Sequence, residues 1–339
     1  MANENSLVTG NFLNCRREIH YFTTGSFILI MKKWILVFLV SIILLLAAVY
    51  VFIPNVVKLK ATVAVTATRP GLHRMLLDKS TVAKWWPGKV SNDSFYLNDF
   101  LYTINNSNIT VLPITIAGQK TTMTSSLFLV PIVTESTQLE WAGAMVTSYN
   151  PVQRVAAFLK AKKIEADMNT IIQKMQAFYS IPENIYGFDI KKELVTDSTL
   201  IQTSGICKGY PETPFIYHLI DKLQAYAISH AASESGYPML NIRPLDSTDF
   251  EVKVAIPVTK LLPAAGDILQ KRMPGLGNIL VAEVKGGNST SAKAFEQIKK
   301  YADDYQRLAP AIPFYSLVTD RMKEPDSTRW VTKIYFPVM

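Results

Sequence analysis

Cysteine is almost missing from this 339-residue chain: Cys15 and Cys207 are the only two, and a long apolar run lies between them, so they form no disulfide framework. Histidine is nearly as scarce. His218 and His230 stand 12 residues apart, roughly 120° round a helix at about 100° per residue, which is not metal-ligand spacing. The patterns that announce common catalytic machinery are missing too. There is no Gly-x-Ser-x-Gly, no His-Glu-x-x-His and no Gly-x-x-x-x-Gly-Lys. Gly275 and Gly277 sit in a Met-Pro-Gly loop rather than at the strand-to-helix turn of a dinucleotide fingerprint. No metal and no cofactor is expected.

A concentrated basic face is lacking as well. The net charge is +8, but residues 1–33 carry 4 basic and 2 acidic side chains, 34–180 carry 13 and 7, and 181–339 carry 18 and 18. A nucleic-acid reader would gather its positive charge on one reading element, so no nucleic-acid partner is expected. The surplus in the first half fits ordinary solvated lysines, the alternative being a weak attraction to anionic lipid.

What is present begins with residues 34–53, 20 residues without a charge, about the length that crosses a hydrocarbon core of roughly 30 Å. The run is longer than a cleaved signal's apolar core, and neither a small-residue cleavage site nor a lipid-attachment Cys follows it. An uncleaved transmembrane anchor with the bilayer as partner is predicted. Met31 followed by two lysines looks like the charged start of such an anchor, so within the N-terminal tail 1–33 residues 1–30 are expected to be either a misassigned upstream extension or a short, poorly ordered stretch. Arg16, Arg17, Lys32 and Lys33 precede the span and Lys58, Lys60 and Arg69 follow it. The expectation is a single pass through a bacterial inner membrane, N-terminus inside and the bulk periplasmic.

Past the anchor, 49% apolar and 18% charged residues over this length suit two packed domains. Residues 61–68 read as a strand and 69–78 as a short helix, followed by 81–88 with Lys84, Trp85, Trp86 and Pro87. Alternating runs follow at 95–104, 109–117, 121–130 and 138–146. Asn150 and Pro151 then open a long helix through Tyr179, with apolar residues at helical spacing. In this order, and in its Trp-Trp-Pro segment, residues 58–180 resemble the START-like or polyketide cyclase superfamily. The resemblance implies a helix-grip fold, a curved sheet wrapped round the long helix with an apolar cavity between them. Trp85, Trp86, Tyr102 and Trp141 are candidates to line that cavity, with ordinary core packing as the alternative.

Residues 181–197 read as a polar linker. Beyond it, 249–258 returns as 329–338 at an offset of 80 residues: Lys253 answers Lys333, Pro257 answers Pro337 and Val258 answers Val338. The strand-like 199–208 and helix-like 213–232 likewise match 279–285 and 291–308, so two β-α-β-β units in tandem are predicted. With its strand endings Ile-Pro-Val and Phe-Pro-Val, the stretch 198–339 resembles the GyrI-like effector-binding domain, also found as the drug-sensing part of AraC-type and MerR-type bacterial regulators. That resemblance implies two halves about a pseudo-twofold with a ligand cleft between them. The chain departs from the family in lacking a helix-turn-helix module before it. It also carries Lys333 in the last strand, where many relatives place the glutamate that receives cationic ligands.

The predicted fold class is therefore α+β: one transmembrane helix, a helix-grip domain and a duplicated β-α-β-β domain. A buried charge without a partner costs several kcal/mol, so Lys333 is solvent-facing, paired with Glu251 or Glu283, or aimed at an anion site. Tyr237, Tyr315 and Trp330 are the aromatic candidates to wall the cleft. The function these features point to is non-enzymatic binding of a small apolar or amphipathic molecule in that cleft. Two alternatives stay open: hydrolysis of a small electrophile, with Glu283 or Glu251 as base and Tyr315 as orienter, and an envelope structural or interaction protein.

Overall fold

The structure, a computed structural model, describes residues 11–339 except 92, 93, 120 and 134, with side chains from residue 31 onward. The chain forms two compact units, Met1–Leu59 with Gly143–Ala166, and Lys60–Ala142 with Asp167–Met339.

The first unit contains α1 (Asn11–Phe52). Its segment Met31–Phe52, 22 residues with no burial, is long and apolar enough to cross a membrane. No proline interrupts the helix, so residues 11–33 are helical rather than a loose tail; the first ten residues of that tail lie outside the described residues. Pro54, which has no N–H to give, marks the end. There Arg154, buried at 4% exposure, donates to the Ile53 carbonyl from Nε at 2.9 Å. Its guanidinium lies 5.1 Å from the centre of the Tyr50 ring. A cation at this place answers the unsatisfied carbonyls of a helix C-terminus. Tyr50 adds a hydrogen bond to the Tyr149 carbonyl at 2.6 Å.

A seven-stranded sheet follows, built from β1 (Val56–Val65), β2 (Lys89–Ser91), β3 (Ser94–Leu97), β4 (Phe100–Ile104), β5 (Val111–Gly118), β6 (Thr121–Val133) and β7 (Ser136–Val146). Its order is β1-β7-β6-β5-β4-β3-β2. Helices α2 (Arg69–Leu77) and α3 (Lys79–Trp85) lie between β1 and β2 in sequence, and α4 (Pro151–Tyr179) closes the segment. Thr68 and Asp78 cap α2 and α3 by accepting from Gly71 and Ser80 backbone N–H groups. The run expected as one strand at 95–104 is a hairpin, because Asn98 turns the chain at φ 51°, a conformation Asn tolerates better than most residues.

The interior beside this sheet is a chain of aromatic rings. Trp85 and Trp86 have centroids 5.8 Å apart, Trp86 and Tyr102 5.6 Å, and Tyr102 and Trp141 6.1 Å. Each polar tip is satisfied: Trp85 Nε1 donates to Tyr179 Oη at 2.8 Å, Trp86 Nε1 to the Tyr96 carbonyl at 2.9 Å, and Trp141 Nε1 to Ser125 Oγ at 2.9 Å. Tyr102 donates to Asp167 at 3.0 Å. Buried Trp and Tyr that find partners in this way serve as packing. Trp85 and Trp86 also edge an open groove with Pro87, Lys174 and Phe178.

The second sheet has eight strands: β8 (Ile190–Leu194), β9 (Ser198–Lys208), β10 (Met239–Pro244), β11 (Asp249–Val258), β12 (Leu269–Met273), β13 (Asn278–Lys285), β14 (Phe314–Leu317) and β15 (Val331–Val338). A short α5 (Glu183–Tyr186) precedes it, α6 (Thr213–Ser229) follows β9, and α7 (Asn288–Asp304) follows β13. The order is β12-β9-β11-β10-β14-β15-β13-β8, with antiparallel pairing throughout. The protein is thus mixed α/β with two antiparallel sheets. The segment read as a linker holds α5 and the edge strand β8, whose five residues bury only Ile190 and turn Lys191, Lys192, Glu193 and Leu194 to water. Arg74 of α2 pairs with Asp304 of α7 at 2.8 Å, Tyr186 of α5 donates to the same carboxylate at 2.9 Å, and Arg307 pairs with Glu135.

Trp141 is 1% exposed and hydrogen-bonded, so Trp141→Ala is expected to cost about 3–5 kcal/mol through the cavity it leaves. Thermal unfolding of the full chain in detergent, read by tryptophan fluorescence, checks this. A shift of a degree or less would show that the ring chain is not the packing centre.

Candidate functional site

Alternation along β11 decides which side chains meet a ligand. Val252, Val254 and Ile256 join Ile216, Leu219 and Leu223 of α6 in one core, which turns Glu251, Lys253 and Ala255 to the other face of the sheet. In β15, Thr332, Ile334, Phe336 and Val338 are buried, and Phe336 meets Phe295 of α7 with ring centroids 6.0 Å apart. Lys333, Tyr335 and Pro337 therefore share the helix-free face. Register carries that face across the sheet: Met239 sits opposite Ala255, Asn241 opposite Lys253, Phe314 opposite Tyr335 and Ile279 opposite Pro337.

On this face lies a cavity of about 500 Å³, within the range of small-molecule sites. Leu200, Met239, Ala255, Ile279, Phe314 and Pro337 supply apolar walls, and the loops Met273 to Gly277 and Pro310 to Ile312 border it. Gln202, Asn241, Lys253, Arg272 and Asn278 are the hydrophilic side chains, and no Asp or Glu is among the lining residues. Asn241 donates to the Pro313 carbonyl at 2.9 Å, which ties β10 to the second loop. The side-chain amides of Gln202 and Asn278 have no hydrogen-bond partner among the described residues. A second hollow of about 330 Å³ shares Val195, Met239, Met273, Ile279 and Phe314 with the first.

The loop from β12 to β13 is held by two backbone bonds, Val195 N–H to the Gly277 carbonyl at 2.7 Å and Leu276 N–H to the Val195 carbonyl at 3.0 Å. Leu276 takes φ 71° there, a left-handed conformation that costs a non-glycine residue about 1–2 kcal/mol. It is 85% exposed, and Ile312 and Met339 beside the cavity are 60% and 67% exposed. A held, strained turn carrying an apolar side chain into water is a feature found at ligand-contact sites.

The two cations are tethered outside the cavity. Lys253 pairs with Glu251 at 3.2 Å, Arg243 reaches the same carboxylate at 2.7 Å, and Arg272 clasps Asp197 at 2.6 Å. Arg243 first and Lys253 second hold the Glu251 carboxyl below the ordinary carboxylate range, and Arg272 does the same to Asp197.

Of the residues singled out from sequence, Tyr237 lines the second hollow. Glu283 and Lys333 face each other in register at 3.4 Å, so Lys333 is paired, and neither borders the main cavity. Glu251 reaches it only through Lys253. Tyr315 stands opposite Ile334, on the helix side, with its ring 5.8 Å from Phe295. Both Glu283 and Glu251 are on the opposite face, so the supposed base and its orienting tyrosine are not brought together. Trp330 donates to the Glu324 carbonyl at 2.8 Å and stacks against Arg321, away from the cavity. Trp85, Trp86 and Trp141 belong to the first sheet's ring chain. Gln202, Asn241, Arg272 and the two loops had no local signal; Lys253 had one, as the 80-residue counterpart of Lys333.

No family model matches the sequence, and no curated protein does. Solved structures similar to it include an EcmrR–DNA complex, at 16% identity and a TM-score of 0.41 over 56% of this chain and 72% of that one. SAV2435 bound to tetraphenylphosphonium is similar at 15% identity and a TM-score of 0.30 over 44% and 93%. Zhui aromatase/cyclase from Streptomyces sp. R1128 is similar at 10% identity and a TM-score of 0.27 over 36% and 94%. All are distant, and the functional reading rests on the cavity.

A carboxyl whose folded pKa is lowered keeps its pairing above its unfolded value, about 4.3 for Glu, and loses it as the pH falls through the folded value. Lys253 then faces the cavity without a counterion. Glu251→Gln is expected to show at pH 7 the several-fold tighter binding of octanesulfonate, a short amphiphile that stays anionic in acid, which the native chain reaches only at low pH, measured by calorimetry. Equal affinity in both proteins at pH 7 would remove Lys253 from the site.

Proposed function

We propose that this chain is a membrane-anchored, non-enzymatic binder of a small amphipathic molecule, held in the cavity on the helix-free face of the eight-stranded sheet. The observation that carries the reading is that cavity: apolar walls, a few placed polar groups, two cations and no Asp or Glu in its lining. A guest with an apolar body and a neutral or anionic head matches it. A lipophilic cation would meet Lys253 and Arg272 on the cavity wall while their partner acids Glu251 and Asp197 stay outside its lining, which sets this chain apart from the cation-receiving pattern its last strand already departs from.

The module is read as GyrI-like, two β-α-β-β halves about a pseudo-twofold. Its sheet order supports this, because β9-β11-β10 and β14-β15-β13 mirror each other about the β10–β14 seam and each half inserts one helix after its first strand. The preceding sheet and α4 are read as a helix-grip domain whose interior is filled by its own rings. The helix α1 is read as an inner-membrane anchor, with the folded parts exported.

Three eight-carbon guests of different head group test the binding: octanoate, octanol and octyltrimethylammonium, added to the full chain in uncharged detergent. Octanoate and octanol are expected to raise the unfolding temperature, since a guest that prefers the folded state stabilises it by mass action. Ala255→Trp, which fills the cavity from its floor, removes the effect while leaving the fold intact. An equal response in Ala255→Trp, or a preference for the ammonium, would overturn the assignment. Export is tested separately by alkaline phosphatase fused after Met339, which is expected to be active; an inactive fusion would place the domains inside.

A further inference from the structure

The helix side of the eight-stranded sheet holds a buried cation without a counterion. Arg321, in the loop after β14, is 8% exposed. Its Nη1 donates to Asn288 Oδ1 at 3.0 Å and its Nη2 to Thr332 Oγ1 at 2.9 Å, while the Trp330 ring covers it at 4.6 Å. Every one of these partners is neutral, and no carboxylate lies within ion-pairing distance among the described residues. Nε is buried with no acceptor among the described residues. Burying a guanidinium under these terms is costly, because neither hydrogen bonds to neutral groups nor a π face supplies the missing charge.

The guanidinium borders a small, partly open recess of about 10 Å³, lined also by Ile216, Leu240, Asn288, Tyr315 and the half-exposed Tyr210. That volume is about what one water-sized or monatomic guest requires. The hydroxyls of Tyr210 and Tyr315 make no hydrogen bond among the described residues. Burial raises both phenols, Tyr315 to about 12, so at neutral pH they are protons to donate. Asn288 is the first residue of α7, whose cap is Gly287 and brings no side-chain acceptor, so the positive end of a 17-residue helix is open at the same place. A cation, two phenolic donors and a helix N-terminus around one small recess all favour the same occupant.

We propose that this recess binds a single small monovalent inorganic anion, chloride being the abundant one, held by the Arg321 guanidinium and the Tyr210 and Tyr315 hydroxyls. The site is separate from the ligand cavity: the two lie on opposite faces of the sheet, with Leu240 of β10 bordering both. It does not depend on what the larger cavity binds.

The test is thermal unfolding of the full chain in uncharged detergent, titrated with sodium chloride or sodium bromide against sodium gluconate at fixed ionic strength, so that screening is common to all arms. Chloride and bromide are expected to give a saturable rise of a few degrees, and gluconate, too large for the recess, none. Arg321→Gln is expected to abolish the halide response. The double variant Tyr210→Phe, Tyr315→Phe, which keeps the packing, is expected to raise the half-saturating chloride concentration about tenfold, as the loss of two modest hydrogen bonds implies. Identical responses to chloride and gluconate would overturn the proposal, and so would a halide response unchanged in the double variant. The double variant also decides the matter if Arg321→Gln fails to fold.

Discussion

The short pairing of β10 with β14 is the contact on which the second sheet depends. Only Met239 with Ser316 and Leu240 with Tyr315 are in register there, yet this seam joins β12-β9-β11-β10 to β14-β15-β13-β8. Each side of it carries its own helix, and the side chains that turn away from those helices meet over the seam. Met239 and Phe314, at its two edges, line both hollows. Without the seam there would be two four-stranded sheets, each with a solvent-facing side, and no shared cavity between their loops.

Charge on the helix-free face is arranged in small closed groups. Glu251 serves Arg243 and Lys253, Asp197 serves Arg272, and Glu283 serves Lys333. These pairs are partly solvated and contribute little to stability individually. Their effect is positional: they hold Lys253 and Arg272 at the cavity while the acids stay outside its lining. The helix side obeys the opposite rule at Arg321, where the surrounding groups are neutral and the charge is left unanswered by the chain itself.

Much of the second fold was legible because its strands alternate cleanly. The 80-residue echo placed β11 and β15 and matched the helix-like runs that form α6 and α7, and the long apolar run placed the membrane-length part of α1. The site was less legible, for reasons of register. Tyr315 looks as suitable for a cleft as Phe314, and only its pairing with Ile334 sends it to the helix side; one residue of slip would reverse the two. Lys333 and Lys253 occupy equivalent places in sequence, but the cavity lies beside β11 and the loop before β14 and is completed by the loop after β12, a strand with no counterpart in the repeat. β8 was hidden because an edge strand facing water carries charges where a periodic apolar pattern would otherwise show. The tryptophans of the first sheet were ambiguous for another reason: a ring that lines a cavity and a ring that fills one come from the same kind of residue, and only the hydrogen bonds of Trp85, Trp86 and Trp141 to neighbouring groups separate the cases.

Leu276 has a consequence for the energetics of any guest. The loop keeps it in a left-handed turn and almost wholly in water, so a molecule long enough to reach out of the cavity would cover apolar surface that the empty protein leaves wet. Association of such a molecule would therefore carry a negative heat-capacity change that grows with chain length until Leu276, Ile312 and Met339 are covered and then levels off. The length at which it levels is a ruler for the depth of the cavity, set by the protein rather than by the head group it receives.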